Sequence, residues 1–335
     1  MRDIRPATFP DHLRSSAADP SVARDFRAGR VIRLVTGWYC DTTKWREAPP
    51  WERHAWVAAA VRLAQPQLVL CSASSLAVHG MALIETPRLL HLSTTSRAHL
   101  GRQPQTFRAA ASAGRVPTAP RRFLHLHRGS DGGEPAAAVV NGFRTRPLID
   151  SLMEFASTAS LEASLAVLDS ALSLPRSHRV SRDELEESAV QWPVAVRRER
   201  ILRVLGLADA GAESAGESLS RAFMLRQGFA LPQLQHEFFD LHGLVARVDC
   251  WWPSLGIVGE FDGRDKWVGE LAHRGAGQFE AVRASHDRQA RLQSHPEVNR
   301  VLRWTWDELK DPSRLVDKFL AAGVPRDPSW VYRAA

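Results

Sequence analysis

The sequence predicts an α+β protein of more than one domain, and three observations support this fold class. The chain has 335 residues, enough for two or three domains of ordinary size. Hydrophobic residues make up 44% and charged residues 24%, which is typical of globular proteins. The periodicity changes along the chain: residues 148–205 have the spacing of amphipathic helices, whereas residues 234–262 have that of β-strands.

Composition argues against a membrane-spanning, secreted or disulfide-rich protein. No apolar run approaches the roughly 20 residues that cross a bilayer. The first residues lack the apolar core of a secretory signal, so we expect a cytoplasmic protein without a membrane partner. The three cysteines, Cys40, Cys71 and Cys250, are far apart and form no C-x-x-C motif, so they indicate neither a disulfide framework nor a zinc knuckle.

Positive charge is concentrated in the first half. Residues 1–150 contain 21 Lys and Arg against 11 Asp and Glu, whereas residues 151–335 contain 23 against 26. A basic half favours an anionic partner such as nucleic acid. The alternative is that the arginines only solvate the surface.

Residues 1–80 are predicted to form a small module of helix followed by hairpin. Val22–Arg27 follows Pro20 and Ser21 as a short helix, and the segment RVIRLVTGWYC reads as two strands around a Gly turn. This is the pattern of a winged helix that docks on DNA. Its candidate nucleic-acid contacts are Arg24, Arg27, Arg30 and Arg33.

Residues 81–205 are predicted to form a mixed α/β middle region ending in a helical spacer. Its strands are expected at Leu89–Ser93, Phe123–His127 and Val139–Arg146. His125 and His127 share one strand face and could bind a metal. Nothing nearby in the sequence supplies further ligands, so we interpret them as structural.

The C-terminal region, residues 213–322, alternates elements in a defined order: helix, three strands, helix, strand, helix. The elements are expected to be a helix opening at Ser214, strands Leu234–Phe239, Leu244–Asp249 and Gly256–Asp262, helix Gln278–Gln293, strand Val301–Trp306 and helix Pro312–Ala322.

Three acids lie at the ends of two of these strands. Asp249 ends the first, and Glu260 and Asp262 share one face of the next. Buried carboxylates repel one another, and a hard cation such as Mg²⁺ or Mn²⁺ relieves that repulsion. The alternatives are structural: Asp249 and Asp262 serve turns, and Glu260 forms an ion pair with Arg288 or Arg303.

A glutamate and three tryptophans near these acids in the sequence can be interpreted as structural or as functional residues. Glu217 fits a capping box with Ser214. Trp251, Trp252 and Trp267 lie in or beside turns, where they could contact a nucleic acid.

These motifs resemble the PD-(D/E)XK nuclease superfamily, and within it the very-short-patch-repair endonuclease. The matching residues are Glu217, Asp249 of ARVD, the run EFDGRDK from Glu260 to Lys266, Asp287-Arg288-x-x-Arg291-Leu292 and the strand VLRWTW. The resemblance implies a restriction-endonuclease-like α/β domain in which Asp249 and Glu260 hold Mg²⁺ and Glu217 assists. The superfamily's usual Lys position is Asp262 here, so Lys266, Arg288 or Arg303 would supply the positive charge.

The N-terminal region resembles actinobacterial proteins related to AbiEi-type antitoxins. Those proteins open with a winged helix and continue into a Ser/Ala-rich helix that ends in His-Gly. The matching residues are Arg33, Gly37, Tyr39, Ser74, His79 and Gly80.

The function predicted from these features is a metal-dependent DNA endonuclease with an N-terminal DNA-binding module. Asp249, Glu260 and Asp262 are the expected metal ligands, Lys266, Glu217 and Arg288 complete the catalytic set, and Arg303 and Trp267 contact the nucleic acid. One alternative is a non-cleaving DNA-binding regulator or antitoxin with a degenerate nuclease fold. Another is a toxin or defence nuclease that acts on RNA or foreign DNA.

Overall fold

The computed structural model describes residues 12–104, 106–126, 136–175, 180–263 and 287–332. The chain divides into an N-terminal unit, residues 3–158, and a C-terminal unit formed mainly by residues 159–335. The predicted α+β multidomain class is confirmed. The three-part division at residues 80, 205 and 213 stays a prediction. No helix in the described ranges has the length and apolar character of a membrane span.

A three-stranded antiparallel sheet opens the N-terminal unit, with strand order β1-β3-β2. Its strands are β1 (Arg14–Ser15), β2 (Val31–Val35) and β3 (Trp38–Asp41), and helix α1 (Val22–Arg27) precedes the hairpin. Gly37 has a φ of 84°, which the turn between β2 and β3 requires and which glycine adopts without strain. The predicted helix and hairpin are therefore confirmed.

A six-stranded mixed sheet forms the rest of this unit, in the order β6-β7-β5-β4-β9-β8. The strands are β4 (Val69–Leu70), β5 (Leu89–Thr94), β6 (Gly101–Arg102), β7 (Arg121–Leu126), β8 (Ala138–Val140) and β9 (Phe143–Thr145). The segment Val139–Arg146, predicted as one strand, is instead a hairpin, because Asn141 and Gly142 both have positive φ and reverse the chain.

Besides α1, the described residues of this unit form helices α2 (Thr42–Glu47), α3 (Pro50–Ala64), α4 (Ser72–Val78) and α5 (Leu148–Ala156). Alanine and valine side chains of α3 pack with the buried residues of β2, β5 and β9 in one apolar core. Trp45 of α2 is fully buried there, and its indole nitrogen donates to the carbonyl of Pro117 at 2.7 Å.

The C-terminal unit begins with helices and continues into a four-stranded sheet in the order β10-β11-β12-β13. The helices are α6 (Leu161–Leu172), α7 (Arg182–Val190), α8 (Ala195–Leu205) and α9 (Ala215–Gln227). The strands are β10 (Gln233–Asp240), β11 (Gly243–Trp252), β12 (Ile257–Asp262) and β13 (Arg300–Thr305). A helical segment at 287–293 precedes β13, and helices at Trp306–Lys310 and Pro312–Ala322 follow it.

The first three strands of this sheet are antiparallel, and β13 pairs parallel to β12. Each face of the sheet carries an apolar core: Phe223 and Met224 of α9 pack on one face, and Leu292 packs on the other. The predicted four strands are confirmed. The central strand β12 is the most buried of the four, because both of its faces are covered, whereas β10 is largely exposed.

A buried ion pair joins α6 to α9. The Arg221 guanidinium donates to Asp169 at 2.9 Å, and the side-chain exposures are 7% and 0%. The amide of Asp209 donates to the other carboxylate oxygen at 2.7 Å. Burial nevertheless raises the pKa of Asp169 to about 6, because removing the carboxylate from water outweighs the attraction of Arg221.

Helix α9 approaches strand β12 unusually closely at Gly216. A Cβ atom at this position would lie 1.9 Å from the Phe261 ring. Only glycine lets the start of α9 rest on the end of β12. The close approach fixes the position of the neighbouring Glu217 relative to the sheet.

We expect the buried ion pair of Arg221 with Asp169 to contribute much more to stability than the partly exposed pair of Arg226 with Glu162, which lies on the same helix. Arg221→Met should lower the free energy of unfolding of the C-terminal unit by about 3–5 kcal/mol at pH 7, because it strands a buried carboxylate. Arg226→Met removes the half-exposed partner of Glu162 and should cost less than about 1 kcal/mol. Urea denaturation measures both. The Arg221→Met deficit should shrink at pH 5, where Asp169 can bind a proton.

A second prediction concerns the contact between α9 and β12. Gly216→Ala should destabilise the C-terminal unit by about 1–3 kcal/mol, since the added methyl overlaps a packed ring. Gly206→Ala is the matched control, because a Cβ there meets nothing closer than 3.5 Å. Equal melting temperatures for the two variants would show that Phe261 can move aside freely.

Candidate functional site

The predicted acidic residues lie where β11, β12 and β13 run side by side. Cys250 of β11 is opposite Gly259 of β12, so Asp249 and Glu260 are the next residues along these two strands. The Phe261 amide donates to a carboxylate oxygen of Asp249 at 2.9 Å, which ties the side chain of one strand to the backbone of the other. The sheet therefore brings Asp249 and Glu260 to neighbouring positions, as the sequence predicts.

The Glu260 side chain is buried, with 8% of its surface exposed, and it contacts two arginines. Arg303, its register partner on β13, places a guanidinium nitrogen 2.6 Å from Oε2. Arg288 places one 3.5 Å from Oε1, and the Arg288 side chain is half exposed. Both ion pairs considered as alternatives from the sequence are present, and the contact to Arg303 is the tighter one.

Glu217 closes the start of α9 and also faces Asp249. Ser214 Oγ donates to Glu217 Oε1 at 2.7 Å, and Gln235 donates to Oε2 at 2.9 Å. Burial raises the pKa of Glu217, and the negative charge of Asp249 raises it further. The capping interaction predicted from Ser-x-x-Glu therefore exists, in a position where two carboxylates repel each other.

Of the remaining residues predicted for this site, the structure describes Asp262 but not Lys266 or Trp267. Asp262 is half-buried at the end of β12, opposite Thr305 of β13. Lys266 and Trp267 lie outside the described residues. Most of the predicted helix Gln278–Gln293 also falls outside them, and its last turns are seen at 287–293.

The carboxylate oxygens of these acids are the type of ligand atom that a hard cation binds. Mg²⁺ prefers oxygen ligands and usually takes one or two carboxylates together with water and substrate phosphate. Within the described ranges, Asp249, Glu260 and Asp262 do not form a trio whose oxygens all lie within 4.8 Å of one another. A cation here would therefore use two of these carboxylates. To bind Glu260, it would have to displace Arg288, whose contact with Glu260 is the longer of the two.

Two tryptophans considered as substrate contacts belong to the core instead. Trp251 and Trp252 are 2% and 3% exposed. Trp251 packs against the ring of Phe238, and the Trp252 indole nitrogen donates to the carbonyl of Ala230 at 2.8 Å. Both residues end strand β11 rather than lying in the turn, so their side chains enter the two cores of the sheet.

The four arginines of the N-terminal module fall into two pairs. Arg30 forms an ion pair with Asp25 at 2.5 Å, and Arg33 donates to the carbonyl of Thr106 at 3.2 Å. Arg24 and Arg27 are exposed on α1, and no hydrogen bond of either side chain is seen within the described ranges. Arg24 and Arg27 are therefore the two that remain available to an anionic partner.

A second cluster of potential ligands lies in the N-terminal unit, where sequence reasoning placed no site. Ligand atoms of Cys71, His125 and Glu154 all lie within 4.8 Å of one another. Burial raises the pKa of the Cys71 thiol well above its usual range, and Glu154 adds to that effect. Burial and the neighbouring His125 lower the pKa of His91, which contacts this cluster, to about 4.

Sheet pairing, not sequence proximity, assembles this cluster. Cys71 follows β4, His91 lies on β5, His125 lies on β7, and Glu154 comes from α5. The Cys71 amide donates to the His91 carbonyl at 3.1 Å. The potential ligands near His125 come from distant parts of the chain, where no neighbour in the sequence could indicate them, and its interpretation as a structural residue stays a prediction. His79, at the end of α4, contacts the Arg146 carbonyl through Nε2 at 3.1 Å.

Comparison with known proteins leaves the family open. No protein-family model matches the chain. The chain is similar to the uncharacterized protein Rv2248 of Mycobacterium tuberculosis (strain ATCC 25618 / H37Rv), with 36% identity over 102 residues. It is equally similar to the uncharacterized protein MT2308 of the CDC 1551 / Oshkosh strain. The match covers 29% of this chain and spans about a third, 35%, of each relative.

Proposed function

We propose that the protein is a metal-dependent endonuclease that hydrolyses phosphodiester bonds of DNA. The observation that carries the proposal is that Asp249 of β11 and Glu260 of β12 occupy neighbouring positions in the sheet, with Glu217 of α9 near enough to Asp249 for its charge to be felt. Glu260 is buried, and Glu217 and Asp249 repel each other. Concentrated negative charge of this kind is typical of a site that receives a cation.

The fold order supports the same proposal. A helix, three antiparallel strands and a parallel fourth strand occur in the order expected of the PD-(D/E)XK resemblance. The carboxyl ends of the parallel strands β12 and β13 lie at the same edge of the sheet. A substrate phosphate bound at that edge would meet both the acids of β12 and Arg303.

Asp249 and Glu260 are the residues that would hold Mg²⁺ or Mn²⁺. The bound ion would neutralise phosphate charge and lower the pKa of its water, which is near ~15.7 in bulk water. Glu217, itself held by hydrogen bonds from Ser214 and Gln235, would assist as an outer-shell ligand. Arg288, half exposed and loosely bound to Glu260, is positioned to turn to a phosphate and stabilise its developing charge.

A second candidate function is a DNA-binding regulator that does not cleave. The tight contact between Arg303 and Glu260 favours it, because a carboxylate already paired with a guanidinium needs no cation. Both candidates bind DNA. They differ in whether Mg²⁺ enters the site.

Cleavage assays separate the two candidates. Wild-type protein should nick duplex DNA with Mg²⁺ or Mn²⁺, and Asp249→Asn should lose at least about 100-fold in rate, equivalent to about 3 kcal/mol. Glu237→Gln removes an exposed carboxylate from β10 and should cleave like wild type. RNA, single-stranded DNA and mismatched DNA tested in parallel identify the preferred substrate.

Retention of full cleavage by Asp249→Asn would exclude this site as the catalytic one. A wild-type protein that shifts duplex DNA in a gel but cuts no substrate with either ion would instead support the regulator.

DNA binding is proposed for the N-terminal module, because exposed arginines lie on a helix that leads into a hairpin. Neutralising a phosphate releases counterions, so each contact steepens the dependence of affinity on salt by about 0.9 in a log–log plot. Arg24→Ala with Arg27→Ala should therefore reduce the slope by about 2, as measured by fluorescence anisotropy.

The matched control removes the same charge from the other unit. Arg197 and Arg203 are exposed on α8, and replacing both by alanine should leave the slope unchanged. If the two double variants give the same slope as wild type, the DNA contact lies elsewhere on the protein.

A further inference from the structure

We infer that the N-terminal unit contains a zinc site formed by Cys71, His125 and Glu154. The three residues offer a sulfur, a ring nitrogen and a carboxylate oxygen, and these atoms all lie within 4.8 Å of one another. Thiolate, imidazole and carboxylate are the three ligand types that Zn²⁺ takes in proteins. The site lies apart in sequence from the acids of the C-terminal unit and does not depend on nuclease activity.

One distance is characteristic of shared coordination. His125 Nδ1 lies 3.5 Å from Glu154 Oε1, longer than the 2.7–3.2 Å of a good N–H···O hydrogen bond. Two ligands at about 2.0–2.1 Å from a tetrahedral zinc ion are separated by about 3.3 Å. The pair therefore needs almost no movement to accept the ion between its two atoms.

The surroundings orient two of the ligands, His125 and Glu154. The other ring nitrogen of His125, Nε2, lies 2.8 Å from His91 Nδ1, and the two rings stack at 5.0 Å. A metal-ligating histidine characteristically uses its second nitrogen for such an outer hydrogen bond. The Ser72 amide donates to Glu154 Oε2 at 3.1 Å, which leaves Oε1 turned toward His125.

Three strands and a helix bring these side chains together on one face of the six-stranded sheet. Ser93 is opposite His125 in the β5–β7 pair, so His91, two residues before Ser93, has its side chain on the same face as His125. Cys71 is fully buried, whereas the side chains of His125 and Glu154 are 27% and 13% exposed. His125 and Glu154 therefore give an ion access from solvent, and three protein ligands leave the fourth position to water.

Zinc and cobalt binding tests the inference. Full-length protein, stripped with a chelator and dialysed, should bind one Zn²⁺ per chain by mass spectrometry of metals. With Co²⁺ it should show a thiolate-to-metal charge-transfer band in the near ultraviolet, because Cys71 is a ligand. Added Zn²⁺ should remove that band.

Matched variants locate the site. Cys71→Ser should lose the charge-transfer band, and His125→Ala should weaken Zn²⁺ binding by at least about 100-fold. His91→Phe removes only the outer hydrogen bond and should weaken binding about 10–100-fold. Cys40→Ser alters another buried cysteine of the same unit and should keep the band.

The wild-type measurement decides the question even if a variant fails to fold. Absence of a charge-transfer band and of stoichiometric Zn²⁺ in folded wild-type protein would overturn the inference, as would a band that survives in Cys71→Ser. The ion pair between His125 and Glu154 would then be a structural contact only. DNA cleavage with Mg²⁺ is a separate readout, so the zinc site and the nuclease site can fail independently.

Discussion

The buried carboxylate of Glu260 is the constraint on which the C-terminal unit depends. A carboxylate removed from water is stable only when it is paired with opposite charge. Parallel pairing of β12 with β13 places Arg303 directly across from Glu260, where its guanidinium lies 2.6 Å away. The same pairing places the acid near the carboxyl ends of the two parallel strands, where the proposed cation or phosphate would replace part of that compensation.

The balance of charge around Glu260 follows from how closely the elements approach one another. Gly216 lets α9 rest on the Phe261 ring, and this brings Glu217 beside Asp249. Two acids then face each other, while Arg303 and the looser Arg288 face Glu260. The negative charge of Glu260 is therefore compensated by arginines, whereas burial and the charge of Asp249 raise the pKa of Glu217.

Local patterns in the sequence predicted the C-terminal sheet well. The mostly buried strands β11 and β12 appear as largely apolar segments, so these strands and the neighbouring positions of Asp249 and Glu260 could be found without a structure. Burial of Trp251 and Trp252 could not, because β11 continues three residues beyond the predicted strand end, to Trp252. The cluster of Cys71, His125 and Glu154 also escaped detection, because pairing of distant strands assembles it and no spacing in the sequence records that pairing.

Calorimetric titration of Mn²⁺ into the wild-type protein and into Glu260→Gln tests most directly whether the acids of β11 and β12 form a metal site. Glu237→Gln serves as the control for loss of a carboxylate. A nuclease site requires that wild type and Glu237→Gln bind the ion alike and that Glu260→Gln binds it at least about tenfold more weakly. Identical binding by all three proteins would show that Glu260 serves only as the partner of Arg303, and the C-terminal unit would then be a scaffold that binds DNA without cutting it.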